Sequence, residues 1–217
     1  FSNLGFIIID EQHKFGVRQR KLLSDKGGKN CDVLLMSATP IPRTLTMSIY
    51  GDMDVSIIRE KPNNRKEVKT YSKLESKIED VINFVKKEIS DGNQIFWVCP
   101  LIEESKKLDH ESAVKKFEYL NKIFPNKVAL LHGKIENDEK EKILNKFLEK
   151  KFSILVSTTI IEVGIDFPNA NVIIIENSNK FGLSQLHQLR GRVGRGNKQA
   201  SCILMFKSNL TENAKKR

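Results

Sequence analysis

The chain has 217 residues, of which 39% are hydrophobic and 29% are charged, and its formal net charge is +10 with a pI near 9.4. This composition is typical of a soluble globular protein, and no apolar run approaches the roughly 20 residues that a membrane-spanning helix needs. The basic charge suits a polyanionic partner such as nucleic acid, although solvated lysine-rich faces would give the same net charge.

Short, continuous apolar runs recur along the chain. Such runs are expected where a strand is covered on both of its faces. They predict strands at 6–9, 32–36, 94–98, 128–131, 153–156, 172–175 and 201–206.

Amphipathic patterns lie between these runs. Apolar residues at helical spacing predict helices over 74–89, 114–120 and 137–148, the last with Asn137 as its N-cap. Strands that alternate with helices in this way predict an α/β fold with a parallel sheet.

The domain organisation follows from one break in this pattern. Residues 59–69, REKPNNRKEVK, carry no core pattern and predict a linker. Residues 70–207 hold enough elements for a complete domain, and 208–217 resemble the start of a C-terminal tail. Residues 1–58 contain only two clear strands, so we expect them to be the end of a domain whose front lies outside this chain.

Cysteine usage points to a reducing environment. Cys31, Cys99 and Cys202 lie far apart, and none belongs to a C-x-x-C pair. This spacing disfavours a zinc site or a disulfide framework and predicts a cytoplasmic location.

The first strand, FIII, ends in Asp10, Glu11, Gln12 and His13. In open α/β sheets, ligands lie beyond the carboxyl ends of strands. One carboxylate there can hold Mg²⁺ and its neighbour can orient or deprotonate a water molecule, with Gln12 and His13 beside a bound nucleotide. An acidic turn that merely closes the strand is the alternative.

The second strand leads into SATPIPRT, which places Ser37 and Thr39 at its end. Their hydroxyl groups are suited to hydrogen-bonding the acidic residues of the first strand. Pro40 and Pro42 stiffen the exit from the strand. Taken alone, this segment is also an ordinary strand-to-helix turn.

The segment HQLRGRVGRG, residues 187–196, contains Gln188, Gly191, Arg192 and Arg195 in the spacing Q-x-x-G-R-x-x-R. Arginine suits the stabilisation of charge on a transferring phosphoryl group because its donors form a fixed fork. If the segment is helical, Arg192 and Arg195 share one face, and the glycines allow a close approach of the backbone. A basic phosphate-binding loop is the alternative.

Residues 157–177 join two predicted strands and contain four further candidates. Thr158 and Thr159 follow the run SILV, and their hydroxyl groups suit a nucleic-acid phosphate. Gly164 and Asp166 precede a turn at Phe167, with Asp166 on the nucleotide side. Taken alone, each of these residues is better explained by plain loop structure than by a binding site.

In this order and spacing, DEQH, SATP, TTIIEVGID and QLRGRVGR resemble the motifs of superfamily 2 helicases. Longer runs resemble the RecG family of ATP-dependent DNA helicases within that superfamily, and the resemblance covers nearly all 217 residues. The runs are DEQHKFGV, SATPIPRTL, WVCPLIEES, LLHGKIENDEK, TTIIEVGIDFPNA and GLSQLHQLRGRVGRG.

The resemblance implies a fold and a set of roles. It implies two RecA-like lobes that clamp ATP, with 70–207 as the complete second lobe and 1–58 as the C-terminal part of the first. Asp10 and Glu11 would hold Mg²⁺ and direct the attacking water, and Ser37 and Thr39 would couple hydrolysis to movement. The implied nucleotide contacts are Asp10, Glu11, His13, Gly164, Asp166, Gln188, Arg192 and Arg195, and the implied DNA contacts are Thr158, Thr159, His132 and Gly133.

The family also implies a partner and a process. The partner would be branched or forked DNA, including replication forks and Holliday junctions, remodelled in recombination and repair by a monomeric enzyme. Among its departures from the family, the chain contains no G-x-x-x-x-G-K-[ST] loop, and DKGGKN at 25–30 lacks the spacing. We therefore expect the chain alone to hydrolyse ATP negligibly.

Two alternatives to this interpretation stay open. A transcription-repair coupling translocase shares the same helicase motifs and differs in regions outside them. The other alternative is a passive nucleic-acid-binding module, in which the basic charge binds DNA or RNA and the motifs are vestigial.

Overall fold

The computed structural model describes residues 4–11, 15–16, 18, 22, 25–27, 31–37, 54–58, 60, 66–100, 106–158, 167–208 and 210. The chain divides into two compact units, Phe1–Glu60 and Lys61–Arg217. Across the described ranges, no helix is both long and apolar enough to cross a membrane.

The first unit contains two parallel strands, β1 (Phe6–Ile9) and β2 (Asp32–Leu35), with Ile9 opposite Leu35. Burial alternates along β1: Ile7 and Ile9 are buried, whereas Phe6 and Ile8 are 55% and 57% exposed. The prediction of burial on both faces is therefore wrong for β1, because the side chains on one face are more than half exposed.

The second unit is a six-stranded parallel sheet in the order β3-β8-β7-β4-β6-β5. The strands are β3 (Lys69–Leu74), β4 (Gln94–Val98), β5 (Val128–Leu131), β6 (Ile154–Ser157), β7 (Ala170–Ile175) and β8 (Ser201–Phe206). The helices are α1 (Ile78–Ser90), α2 (Lys106–Ile123), α3 (Asn137–Leu148) and α4 (Leu183–Arg190). Because all the strands are parallel, their carboxyl ends meet at one edge of the sheet and their amino ends at the other.

The sheet separates two hydrophobic cores. On one face, side chains of α1 and α2 pack with Ile95 and Trp97 of β4. On the other face, side chains of α3 and α4 pack with Phe96 and Val98 of the same strand. Every residue of β4, β6 and β7 is buried, as expected for strands covered on both faces. Here the prediction from continuous apolar runs is confirmed.

An aromatic cluster fixes α3 against the second face. The rings of Phe96, Phe147 and Phe167 lie with centroids 5.4–5.6 Å apart, in tilted and edge-to-face arrangements. Gln94 adds a polar anchor, since its Nε2 donates to the carbonyl oxygens of Phe147 at 2.6 Å and Phe152 at 2.8 Å. The C-terminal end of α3 is therefore tied to the start of the central strand.

The sequence predicts no strand at β3, yet KTYSKL pairs along its whole length with β8, from Lys69 opposite Ser201 to Leu74 opposite Phe206. All six of its residues are exposed, so it has no apolar run to detect. Backbone pairing at the edge of the sheet holds this strand, and such pairing leaves no mark in the side-chain pattern.

Three details of the predicted helices differ from the structure: α2, Lys106–Ile123, extends beyond the predicted 114–120, one helix start is displaced, and one N-cap is wrong although the bounds of α3 match the prediction. Leu74 ends β3 instead of opening α1, which begins at Ile78 after a 3₁₀ turn over Glu75–Lys77. Asn137 is the first helical residue of α3, and the N-cap is Glu136, with no side-chain capping hydrogen bond. The start of α1 and the N-cap of α3 differ from the prediction because residues at helix ends adopt helical or extended backbone at little cost.

Phe147→Ala should lower the free energy of unfolding by about 3–5 kcal/mol, because it empties a site at the centre of the aromatic cluster. The matched control is Leu148→Ala, since the neighbouring Leu148 is 36% exposed whereas Phe147 is 0% exposed. The control should cost less than about 1 kcal/mol. Urea unfolding followed by circular dichroism measures both, and equal losses would contradict the assigned core.

Candidate functional site

The first unit brings its acidic residues and Ser37 to one end of its sheet. Asp10 and Glu11 follow β1, and the N–H of Met36 donates to the carbonyl oxygen of Ile9 at 2.8 Å, which places Ser37 just beyond the same end. Asp10 is exposed, whereas Glu11 and Ser37 are half-buried. Ser37 thus lies beyond the same end of the sheet as the acidic pair. Its coupling role stays a prediction.

The backbone turns sharply at the acidic pair. Glu11 has φ of +48°, in the left-handed region that residues other than glycine rarely adopt. Its N–H donates to Asp10 Oδ1 at 2.8 Å, so the carboxylate of Asp10 stabilises the turn. Unusual backbone conformations of this kind concentrate at functional sites, which makes this strand end a candidate site on structural grounds.

The acidic pair fits a magnesium ion. Mg²⁺ prefers oxygen ligands and usually takes one or two protein carboxylates, completing its shell with water and phosphate oxygens. Asp10 and Glu11 supply two such carboxylates at one strand end. In the part of the chain that the structure describes, no group of three or more His, Cys, Asp or Glu side chains could hold a metal.

Several predicted site residues lie outside the described residues. They are Gln12, His13, Thr39, Thr159, Gly164 and Asp166. Their assignments remain predictions from the sequence and its resemblance to helicases.

The carboxyl edge of the second unit carries the described residues predicted to contact DNA. His132 follows β5 and Thr158 follows β6, and these strands pair with Leu131 opposite Ser157, so the two residues lie at adjacent strand ends. Thr158 is buried, His132 is half-buried and Gly133 is exposed. The N–H of Lys134 donates to His132 Nδ1 at 3.3 Å, which orients the imidazole within its turn. This edge therefore presents a turn with an open glycine beside a buried hydroxyl group.

The arginine-rich segment begins in α4 and continues into a loop. The helix is followed by Gly191 as its C-cap, so Arg192 and Arg195 lie beyond it and the condition for a shared helical face is not met. Leu189 and Val193 are fully buried and anchor the segment to the core. Gln188 and Arg192 are half-buried, and Arg195 is exposed. The anchored loop thus presents the guanidinium group of Arg195 to solvent.

Two glycines allow the loop 191–200, called the arginine loop below, to pack against the amino edge of the sheet. Gly194 has φ of +72°, and its N–H donates to the carbonyl oxygen of Ala170 at the start of β7. A Cβ atom on Gly194 would lie 2.8 Å from the Cβ of Ala200, and one on Gly196 would lie 2.6 Å from the carbonyl oxygen of Pro168. The close approach predicted for these glycines is therefore made to the protein's own backbone and core.

Polar contacts hold the end of this loop. Lys198 Nζ donates to the carbonyl oxygen of Asp91 at 2.9 Å and to Asn93 Oδ1 at 3.0 Å. Asn171 Nδ2 donates to the same Asn93 oxygen at 3.0 Å. The arginine loop is consequently fixed at the amino edge, opposite the edge that carries His132 and Thr158. The expectation that ligand-binding residues lie at carboxyl strand ends does not extend to Arg192 and Arg195.

Residues 76–197 match the model of the helicase conserved C-terminal domain. The chain belongs to this helicase family. Its curated relatives include the ATP-dependent DNA helicase RecG of Thermotoga maritima, 54% identical over 94% of this chain, and RecG of Bacillus subtilis, 50% identical over 94% of it. The chain spans 26% and 30% of the lengths of these two relatives. The resemblance to RecG that the sequence predicts is confirmed.

Solved helicase structures share the fold. A RecG bound to a three-way DNA junction superimposes with a TM-score of 0.74 at 47% identity, covering 100% of this chain and 28% of that one. Dbp5 of S. cerevisiae, bound to RNA and ADP BeF3, gives a TM-score of 0.66 at 18% identity over 97% of this chain and 55% of its own, and shows the fold alone. The predicted fold class, a parallel-sheet RecA-like helicase lobe, is confirmed.

One polar network of this helicase domain is not predicted from the sequence. Glu176 follows β7 and is 9% exposed, and its Oε1 accepts a hydrogen bond from Trp97 Nε1 at 2.9 Å and lies 2.7 Å from Lys116 Nζ. A sequence pattern could have identified Glu176, because the apolar run VIII ends in this carboxylate just as FIII ends in Asp10. Cys99, close to Glu176, has its pKa raised by burial, and burial raises the pKa of Cys202 to about 11, so neither thiol is a ready nucleophile.

Gly194→Ala should destabilise the helicase domain by about 1–3 kcal/mol, because alanine is strained at positive φ and its Cβ meets Ala200. Gly133→Ala is the matched control, since no heavy atom lies within 4 Å of its Cβ position. The control should change stability by less than about 0.5 kcal/mol. Thermal unfolding of the two variants compares them, and a neutral Gly194→Ala would show that the loop adopts another conformation.

Proposed function

We propose that this chain is part of an ATP-dependent DNA helicase of the RecG type, which remodels branched DNA in recombination and repair. The observation that carries the proposal is the arginine loop: Leu189, Val193 and Gly194 fix it to the core, and Arg195 is exposed beyond them. Support comes from 47% identity, across the whole chain, with a RecG solved on a three-way DNA junction.

The nucleotide is proposed to be ATP with Mg²⁺. The carboxylates of Asp10 and Glu11 would hold the ion, which would neutralise charge on the phosphates, and Glu11 would orient the attacking water. Arg192 and Arg195 would stabilise the charge that develops on the γ-phosphate, because guanidinium donors match phosphoryl oxygens. The further nucleotide contacts proposed from the family motifs are His13, Gly164, Asp166 and Gln188.

The DNA is proposed to contact the carboxyl edge of the second unit. Gly133 leaves the backbone open beside His132, which suits a sugar–phosphate backbone. Thr158 and Thr159 are proposed from the family motifs alone, since Thr158 is buried in this structure. Such contacts position a strand without reading its sequence, as a motor that moves along DNA requires. The net charge of +10 adds long-range attraction to the polyanion.

The division of labour within the chain is part of the proposal. Residues 1–58 would belong to the first RecA-like lobe and 70–207 to the second, joined by a linker at 59–69 and followed by a tail at 208–217. Ser37 and Thr39 would couple hydrolysis at the first lobe to movement. The enzyme is proposed to act as a monomer in the cytoplasm.

The isolated chain should bind forked DNA weakly and lose about tenfold or more of its affinity between 50 and 200 mM salt, because few phosphates are contacted and counterion release dominates. Gel shifts at the two salt concentrations, with and without ATP, measure the affinity for forked DNA. ATP should leave the affinity unchanged and phosphate release should stay at background, since the chain has no loop with the spacing that cradles phosphates. DNA-stimulated turnover at ordinary helicase rates would contradict this expectation.

In the full-length helicase, Arg195→Ala should abolish ATP hydrolysis, by about 10³-fold or more, while leaving nucleotide affinity within a fewfold of the parent. The physical reason is that Arg195 would act on charge that develops only in the transition state. Asn197→Ala, at an exposed position in the same loop, is the control and should keep full activity. Steady-state hydrolysis and binding of a fluorescent nucleotide separate the effects, and a collapse of binding would make Arg195 structural.

A further inference from the structure

A cavity of about 390 Å³ opens at the carboxyl edge of the second unit, apart from the residues assigned to ATP and DNA above. Residues at the carboxyl ends of four strands line it: Glu75, Glu176 and Lys207 directly follow β3, β7 and β8, and Pro100 lies two residues beyond β4. In volume it lies within the roughly 300–1,000 Å³ of typical ligand sites. It also occupies the edge at which open α/β sheets bind ligands.

The cavity is basic. Its lining, among the residues that the structure describes, contains four lysines and two carboxylates, and these are Lys115, Lys116, Lys180 and Lys207, with Glu75 and Glu176. Lys116 and Glu176 neutralise each other as an ion pair. Lys115, Lys180 and Lys207 are exposed, and none of them has an ion-pair partner among the residues that the structure describes. Among the described lining residues, three lysines outside the ion pair therefore outnumber one carboxylate, that of Glu75, and this excess of positive charge favours an anion.

The wall of the cavity is held in place by the network around Glu176. Lys116 Nζ lies 5.5 Å from the centroid of the Trp97 ring and 5.2 Å from that of Tyr119, so it bridges a buried ring and an exposed one. Trp97 is fully buried and donates to Glu176, whereas Tyr119 is 38% exposed. An aromatic ring fixed beside ammonium groups is the arrangement with which proteins bind unpaired nucleotides, by stacking and charge together.

We propose that this cavity binds a single-stranded segment of DNA, with backbone phosphates on Lys115, Lys180 and Lys207 and an unpaired base on the ring of Tyr119. The inference rests on the proposed DNA-binding function. It extends the DNA contacts at the ends of β5 and β6 across β4 to β7 and β8. Three strand spacings, about 14 Å in all, separate β6 from β8, and a few nucleotides span that distance.

The test compares two triple variants of this chain that carry the same net charge, +7 in place of +10, because each loses three lysines. The cavity variant is Lys115→Gln, Lys180→Gln and Lys207→Gln. The control changes three exposed lysines outside the cavity, Lys86→Gln, Lys142→Gln and Lys146→Gln. Fluorescence anisotropy with a labelled single-stranded oligonucleotide of about 20 nucleotides, at several salt concentrations, gives the affinities, and circular dichroism confirms that both variants fold.

The cavity variant should bind the oligonucleotide about tenfold more weakly, and its salt slope should fall by about 2, which corresponds to three lost phosphate contacts on a single strand. The control should stay within about twofold of the parent, with an unchanged slope. Equal losses in the two variants would show that only overall charge matters and would overturn the cavity assignment. If the parent chain binds no DNA at any salt concentration, the proposed function fails along with it.

Variants of Tyr119 provide a second test that is independent of the lysine variants. Tyr119→Leu should weaken binding of the single strand about fivefold or more and leave binding of a duplex of equal length unchanged, because only unpaired bases stack. Tyr119→Phe keeps the ring and should bind like the parent. Equal effects of Tyr119→Leu on single strand and duplex would overturn the stacking role. Sodium pyrophosphate at matched ionic strength is the probe for a free-anion site, and displacement of the oligonucleotide by it at low millimolar concentration would overturn the assignment to DNA.

Discussion

The second unit depends on β4, whose side chains pack alternately into two separate cores. Ile95 and Trp97 face the core beneath α1 and α2, while Phe96 and Val98 face the core beneath α3 and α4. Because the strand is buried on both faces and paired on both sides, it holds four helices and its neighbouring strands in one register. Burial of apolar surface on both faces is the main favourable term, and it positions the strand ends that carry the described loops.

The two edges of this sheet carry different chemistry. The arginine loop lies against the amino ends of β7 and β8, where Gly194 and Lys198 fix it, and the residues proposed to contact DNA lie at the carboxyl ends of β5 and β6. Rigid buried strands run between the two. The residues proposed to act on ATP and those proposed to contact DNA therefore lie at opposite edges of one sheet.

Prediction from the sequence succeeds where burial is strong and fails where backbone pairing or tertiary contact decides. The strands at 94–98, 128–131 and 201–206 are found at the predicted residues, since continuous apolar runs report burial directly. β3 is missed because its six residues are exposed and only pairing with β8 makes it a strand. Glu176 is missed because its importance comes from Trp97 and Lys116, which lie 79 and 60 positions away in the chain.

The sequence by itself determined the family and most of the buried strands and amphipathic helices, because the helicase motifs and the apolar runs are local properties of the chain. Only the tertiary structure decided which residues share an edge of the sheet. It places Arg195 and Thr158 at opposite edges of the sheet. It shows that Gly194 and Gly196 are needed for close packing, and that a basic cavity lies at the ends of four strands. These results depend on strand order and register, which arise from burial and hydrogen bonding between segments far apart in the chain, and no local pattern encodes them.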